Sequence, residues 1–425
     1  MIKKIWNNPY INIIKVFTII NIILINVNVG LWVRAAQEHL LDYADFTSIY
    51  NTFVNNRTGS GWKLINLDNI DIYHRGILGG LRLDNGVYPL QYPPVISLIF
   101  SPLSLLTFNI AYLIWMLAEL GLLIWLIFLL NRLFSDWNKL ERLLLILTIL
   151  AFFPLAFTIL TGQFSLFLLI CLFQIYISMK NYKSINAGIW LSFMIIKPQT
   201  ILIPGLLSIS KRYWRVAVTA ALTGLSLIFL SSLLFGLESW IKYSRSLLNM
   251  SINFEKSGFQ PETEYTLRGI LTRILGSSQG NLINLISNTG LLLGMFVVLF
   301  LWFQGISPDS SRFKLRFAFI ITLSVFLSLH LYGYDNLILV LPAAIFYDYL
   351  RQMGFPRKGY SILILCSPLI FFFGMFNSFN LFGFIRPPII VTLLLLAWMI
   401  RYLILDLRTE QMNGQTNITS PYPTS

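Results

Sequence analysis

Apolar residues fall along this chain in long runs separated by short polar breaks. A helix needs about 20 such residues to cross the hydrocarbon of a bilayer, and backbone inside lipid must satisfy its own hydrogen bonds, so the runs predict helices. The predicted spans are residues 10–33, 109–130, 142–160, 164–179, 214–235, 283–304, 316–330, 335–350, 360–376 and 386–405, about ten full crossings. Two further apolar pieces, 93–107 and 185–209, are interrupted by proline and predict broken or re-entrant helices. The connections 34–92 and 236–282 are too long to be plain links, and loops of that length usually carry function. Their aromatics (Tyr43, Phe46, Tyr50, Trp62, then Trp240, Tyr243, Tyr265 among them) predict short helices lying in the membrane interface.

Composition places the pattern in a class. With 56% hydrophobic and 12% charged residues over 425 positions, and a mean hydropathy of +0.70, this is an all-α, multi-pass membrane protein and not a soluble globule. The first run, from Tyr10 to Val33, is too long for a cleaved leader and reads as a retained helix. No internal repeat is visible, which gives no support to the inverted-repeat plan of transporters. Residues 1–408 form the expected membrane domain, and the polar tail 409–425 is expected to be disordered.

The net charge of +13 changes the picture only through its distribution. Basic residues gather at Lys3 and Lys4, Arg132 to Arg142, Lys180 and Lys183, Lys211 to Arg215, Arg312 to Arg316, Arg351 to Lys358, and Arg408. All can be cytoplasmic under the positive-inside rule if 185–209 enters and leaves on one side near Lys197-Pro198 and 93–107 does not cross. Both termini are then cytoplasmic. Asp45, Tyr92-Pro93-Pro94, Gly162-Gln163, Lys197 and the HLYGYD stretch (330–335) face the extracytoplasmic side. Charge in such breaks forms no stripe for nucleic acid, so nucleic acid is excluded as a partner.

Motifs of soluble enzymes are missing: there is no GxGxxG, Walker loop, HExxH, GxSxG or metal-holding DxD. Cys171 and Cys366 lie far apart in apolar runs and make neither a disulfide framework nor a metal cluster. No cofactor and no metal ligand set is legible, and a divalent metal stays open. What remains are polar residues at helix ends. Asp45, in DYADFTSIYNTF, is a carboxylate among aromatics near the bilayer, where partial desolvation would raise it toward a general-base value. Taken alone it reads more readily as a solvated loop acid or a cap, and Asp42 competes with it. Tyr92-Pro93-Pro94 fixes an extended lead into a helix. Gln163 is an amide at a tight turn, suited to sugar hydroxyls or simply polar. Lys197 is a cation at membrane depth, costing about 2.5–3.5 kcal/mol on insertion scales, so it needs a partner, with a lipid phosphate the obvious one and snorkelling the bland alternative. Glu119 is mid-helix and expected to pair with a bundle neighbour. His330 can meet a phosphate or relay a proton, or belong to an aromatic belt, while Asp335 reads as a helix-start residue.

In order, DFTSIY, QYPPVISLIFSPLSLL, LTGQFSLFLLICLF, AGIWLSFMIIKPQTILIPGLLSISKRYWR and SLHLYGYDNLILVLP resemble glycosyltransferase family 87, over roughly residues 40–345. This is the bacterial family of polyprenyl-phosphate-mannose-dependent mannosyltransferases within the GT-C superfamily. The GQ and KP blocks are the most specific parts. The resemblance implies a multi-helix GT-C bundle in the plasma membrane with an extracytoplasmic active site. It further implies transfer of a hexose, with inversion, from a lipid-linked donor (a polyprenyl monophosphate sugar) to a lipid or glycan acceptor. The family's acidic base maps to Asp45 and its histidine to His330. The stretch NNRTGSGWKLIN departs from the family's glycine and tyrosine pattern, which leaves the acceptor open. On this reading Lys197, His330 and Arg268 (in EYTLRGI) hold the donor phosphate, and Tyr92, Gln163 and Tyr334 contact substrate. A single displacement from a lipid phosphate needs one carboxylate and a site rich in cations, whereas an inverting hydrolase needs two carboxyl groups. The alternatives are a GT-C ligase or polymerase using diphosphate-linked glycans, and a lipid-linked-sugar transporter.

Overall fold

A computed structural model describes residues 9–37, 45–58, 92–252, 261–303, 305–374 and 385–416. They are helical, with no strand among them. The order is α1 (Pro9–Gln37), α2 (Phe46–Thr58), α3 (Val95–Phe100), α4 (Phe108–Leu133), α5 (Lys139–Ala151), α6 (Phe153–Thr161), α7 (Ser165–Lys180), α8 (Ser184–Phe193) and α9 (Pro198–Gly205). Then follow α10 (Trp214–Phe235), α11 (Leu237–Ile252), α12 (Leu267–Leu275), α13 (Gly280–Trp302), α14 (Ser311–Leu327), α15 (Val340–Gln352), α16 (Lys358–Gly374) and α17 (Pro387–Thr416).

Five of these (α1, α4, α10, α13 and α17) are long and apolar enough to cross a bilayer, and α5 with α6, bent by 48°, makes a sixth if it is one span. The shortfall from about ten has a physical cause: several apolar runs are cut into pieces too short to span unbroken. Pro154 follows the break between α5 and α6, and Pro198 opens α9. A residue before proline is driven out of the helical region; Lys197 sits at φ −133°, ψ 81°. The expected break at Lys197-Pro198 is therefore where the helix stops, and 93–107 is likewise a short helix continued as a 3₁₀ turn (Ser101–Leu105). The closing helix runs to Thr416, so 409–416, expected as tail, is helical; Glu410, Gln411 and Met412 are good helix formers. Residues 417–425, Asp42, and most of the first long loop lie outside the described residues.

The helices sort by what they face. Along α10 and α13, Leu222, Leu225, Phe229, Leu233, Leu292, Phe296 and Phe300 point outward, as lipid-facing residues do. α7 and α14 are buried on nearly all sides and form the centre of the core with α15. From Ser165 to Lys180, α7 extends about 24 Å. One end of this core carries ion pairs: Lys314 with Asp348, which also accepts from Trp137 Nε1 at 2.8 Å, and Arg312 and Arg316 with Asp406. The other end carries the candidate site. A smaller aromatic core, made by Phe46, Phe53, Trp115 and Phe164, packs behind it. Glu119, expected to pair across the bundle, is buried, and its Oε2 has no hydrogen-bond partner among the described residues.

Candidate active site

Four breaks in helical structure meet at this end. The first is the turn between α6 and α7. Gly162 closes α6 in the left-handed region at φ 71°, which only glycine adopts without strain, and its position leaves no room for a side chain: a Cβ would lie 2.8 Å from Phe46 Cβ. That contact seats the start of α2 against the turn, and Asp45 precedes Phe46. The second break is Tyr92, buried ahead of Pro93-Pro94. Tyr92 donates its hydroxyl to Gln163 Oε1 at 2.6 Å, and Gln163 Nε2 donates to Asp45 Oδ2 at 2.6 Å. The amide is thus locked by a phenol on one side and aims its donors at the carboxylate on the other. The Tyr92 ring also packs on Phe164, centroids 5.3 Å apart.

Lys197, at the third break, points its ammonium at Asp335, with Nζ 2.6 and 2.7 Å from the two carboxylate oxygens. Both side chains are inaccessible, 7% and 1% exposed. Asp335 lies in the fourth break, the 3₁₀ turn Gly333–Leu339 that follows α14. It accepts from Ser165 Oγ at 2.7 Å and from the Tyr332 backbone N–H at 3.3 Å. It is therefore a cap at the start of a helix, as expected, and also the partner of Lys197, which was not. Tyr334 places its ring 4.9 Å from Lys197 Nζ, and it favours the ionised form of the Asp45 carboxyl.

The electrostatics follow. Burial pushes the Asp45 carboxyl above its ordinary value of 3.8; the Gln163 hydrogen bond and the Lys197 charge pull it back, and Asp335 pushes it up again. The Tyr92 phenol is driven well above its ordinary value by burial and by Asp45, so it stays a neutral donor. A half-buried carboxylate poised in this way can take a proton from a hydroxyl.

The remaining expected residues fall in a neighbouring group. His330 Nδ1 is 2.8 Å from Glu264 Oε1, and Glu264 is fully buried. Arg268 donates to the Leu329 carbonyl at 3.4 Å. The two groups are joined by rings, since Tyr332 packs on His330 at 4.7 Å and on Tyr334 at 5.9 Å. Glu264, Arg273 and Arg386 were missed from the sequence. The signal was present in part: Glu264 begins the quoted EYTLRGI, and Arg386 stands before Pro387-Pro388 at a helix start. Among the described residues no three His, Cys, Asp or Glu side chains gather to hold a metal ion.

A profile of glycosyltransferase family 87 matches residues 90–329, more than half of the chain. The match is narrower than the resemblance read from the motifs; Tyr92, Gln163, Lys197 and Arg268 lie inside it, and Asp45, His330 and Asp335 outside. No curated protein and no solved structure matches the chain.

Proposed function

The chain belongs to glycosyltransferase family 87 and is a membrane glycosyltransferase, and we propose that it moves a hexose, mannose first, from a polyprenyl monophosphate carrier to a lipid or glycan acceptor, with inversion. The observation that carries this reading is the convergence of residues 45, 92, 163, 197, 334 and 335 around one half-buried carboxylate. Asp45 takes the proton from the acceptor hydroxyl. The freed oxygen attacks the anomeric carbon as the bond to the phosphate oxygen breaks, and that electron pair leaves on the carrier phosphate. Gln163, held by Tyr92, fixes the Asp45 carboxylate. The charge on Lys197 is shared with Asp335, so at this centre it keeps Asp45 ionised more than it binds phosphate. His330 and Arg268, one group away, then meet the departing phosphate. No metal or cofactor is needed by this scheme.

Orientation is part of the proposal. The Lys180, Arg312, Lys314, Arg316 and Arg351 end of the core is opposite the Asp45 end, which by the positive-inside rule supports an extracytoplasmic site, cytoplasmic termini and a place in the plasma membrane. Ion pairs packed into the basic end weigh against a transporter, which needs access from both faces. The test is transfer from a polyprenyl-phosphate sugar by purified wild type and Asp45→Asn. Loss of turnover in the variant is expected; turnover equal to wild type would sink the assignment.

A further inference from the structure

The second long connection carries a polar group that the reaction scheme leaves unused. Its helix α11 follows α10 after a corner at Gly236, where φ is 80°. α10 in turn packs on α3, the short helix that begins just after Tyr92-Pro93-Pro94. Along α11, Ser239 and Tyr243, one turn apart, are buried with Trp240 half-buried between them, whereas Leu237 and Ile241 are exposed. That is the pattern of a helix lying in the membrane interface with one face turned to the protein.

Two of the three inward side chains are satisfied within the corner. Ser239 donates its hydroxyl to the Gly236 carbonyl at 2.6 Å, and Trp240 Nε1 donates to Ser231 Oγ at 2.9 Å, which ties α11 to α10. Tyr243 is not. It packs edge-on against Trp240 with centroids 6.1 Å apart and is 7% exposed, yet its hydroxyl has no hydrogen-bond partner among the described residues. A buried phenol ordinarily finds one, because the bonds it gave up to water are otherwise not replaced. Tyr243 stands near the site: after burial, its phenol acts together with Asp45 and Asp335 to raise that of Tyr92. Tyr92 reaches Asp45 through Gln163 by two hydrogen bonds, each 2.6 Å long. The two charges that bear on Tyr92 are thus both carboxylates, and an anionic ligand is a poor match for this corner. Burial also raises the Tyr243 phenol and so keeps it neutral, and a neutral phenol both donates and accepts. Those are the needs of an alcohol.

We infer that Tyr243 hydrogen-bonds a sugar hydroxyl of the bound substrate and so selects for the sugar on a lipid carrier. The inference rests on the proposed function, which brings a hexose and an acceptor hydroxyl to Asp45. The hydroxyl has two sources, the transferring hexose and a sugar acceptor, and their chemistry at Tyr243 is the same.

The experiment uses the full chain in nanodiscs of neutral phosphatidylcholine, as wild type and Tyr243→Phe, which removes one oxygen and keeps the ring. Three radiolabelled probes are titrated: mannosyl farnesyl phosphate, farnesyl phosphate without the sugar, and octyl mannoside as a sugar acceptor. Transfer from the first to the last is followed in parallel. If the hexose is the source, Tyr243→Phe should weaken mannosyl farnesyl phosphate about 3- to 10-fold, as loss of one neutral hydrogen bond does, and leave farnesyl phosphate unchanged. If the acceptor is the source, the same loss falls on octyl mannoside. Without ligand, Tyr243→Phe should unfold at the same temperature as wild type or higher, because the oxygen it loses has no partner there. A packing role would instead lower that temperature and weaken all three probes alike. That result, or binding of both sugar probes as in wild type, overturns the inference. Tyr243-dependent binding of a sugar probe without any transfer would remove the proposed reaction and leave this contact; transfer by wild type with Tyr243→Phe equal to it in every assay would do the reverse.

Discussion

Asp335→Asn isolates the buried ion pair. The substitution keeps the shape of the side chain but removes one charge and one of the two acceptor oxygens that receive Ser165 and the Tyr332 N–H. At 2.6 Å and an effective dielectric of 20, the attraction it deletes is about 6 kcal/mol before solvation. Desolvation of each ion opposes this by several kcal/mol, so the pair itself is a weak net stabiliser, but a lone ammonium left in the same place is not. The expected loss for Asp335→Asn is about 3–5 kcal/mol. Lys197→Met should cost a similar amount by leaving the carboxylate alone, and Lys197→Met/Asp335→Asn should cost less than the two singles together by roughly 1–3 kcal/mol. The assay is resistance to thermal unfolding in detergent, read by tryptophan fluorescence, with the four proteins compared under one set of conditions. If Asp335→Asn unfolds with wild type, or if the double variant loses the sum of the singles, the pair is not the buried, mutually dependent one described.

Asp45→Asn should lower turnover by about 10²- to 10⁴-fold, the usual contribution of a positioned base. It should leave stability equal or higher at neutral pH. The sign follows from burial: the folded chain holds this proton more tightly than the unfolded chain, so the carboxyl favours folding below its ordinary 3.8, and that contribution is lost as pH rises through the raised value. Activity in wild type should correspondingly fall on the acid side at a pH above 3.8, and a limb at or below that value would remove the desolvated base. Tyr92→Phe leaves Gln163 Oε1 without its donor in a buried place; a loss of about 1–3 kcal/mol is expected in unfolding experiments, with reduced turnover. Gly162→Ala forces both a left-handed alanine, costing about 1–2 kcal/mol, and a displaced Phe46, so turnover should fall more than stability does; equal turnover would show that the Phe46 contact does not seat Asp45.

Much of the architecture was legible because lipid imposes a simple rule. Long apolar runs became long helices, and Lys197-Pro198 became a break, since proline restricts the residue before it whatever the tertiary context. The number of full spans was not legible from hydropathy, because runs such as 142–160 are divided by turns that apolar residues can also make. In the site, the cost of a lysine at membrane depth required a partner, and that much was readable. Its identity was not: Asp335 is 138 positions away, and local rules see only an acid in the first turn of a helix, a role it also fills through Tyr332. Arg386 and Glu264 escaped for the complementary reason. Each looks like an ordinary loop charge until the fold-back permitted by Gly269 brings residues 262–266 against 329–331.

The pairing of Lys197 with Asp335 also bears on why Asp45 can act as a base. A buried carboxylate stays ionised only if positive charge is near, yet a lysine in direct contact would hold the carboxylate and block the acceptor hydroxyl. Two oxygens of Asp335, fixed by Ser165 and the Tyr332 N–H, keep the ammonium on their own side, while its field still lowers the proton affinity of Asp45. Tyr334, with its ring near the ammonium, also favours the ionised form of Asp45. In Asp335→Asn the ammonium loses its partner and, among the described residues, still feels the carboxylate of Asp45. Loss of turnover in this variant should therefore exceed what its fraction folded accounts for, and Lys197→Met/Asp335→Asn, which removes the ammonium as well, should recover part of it.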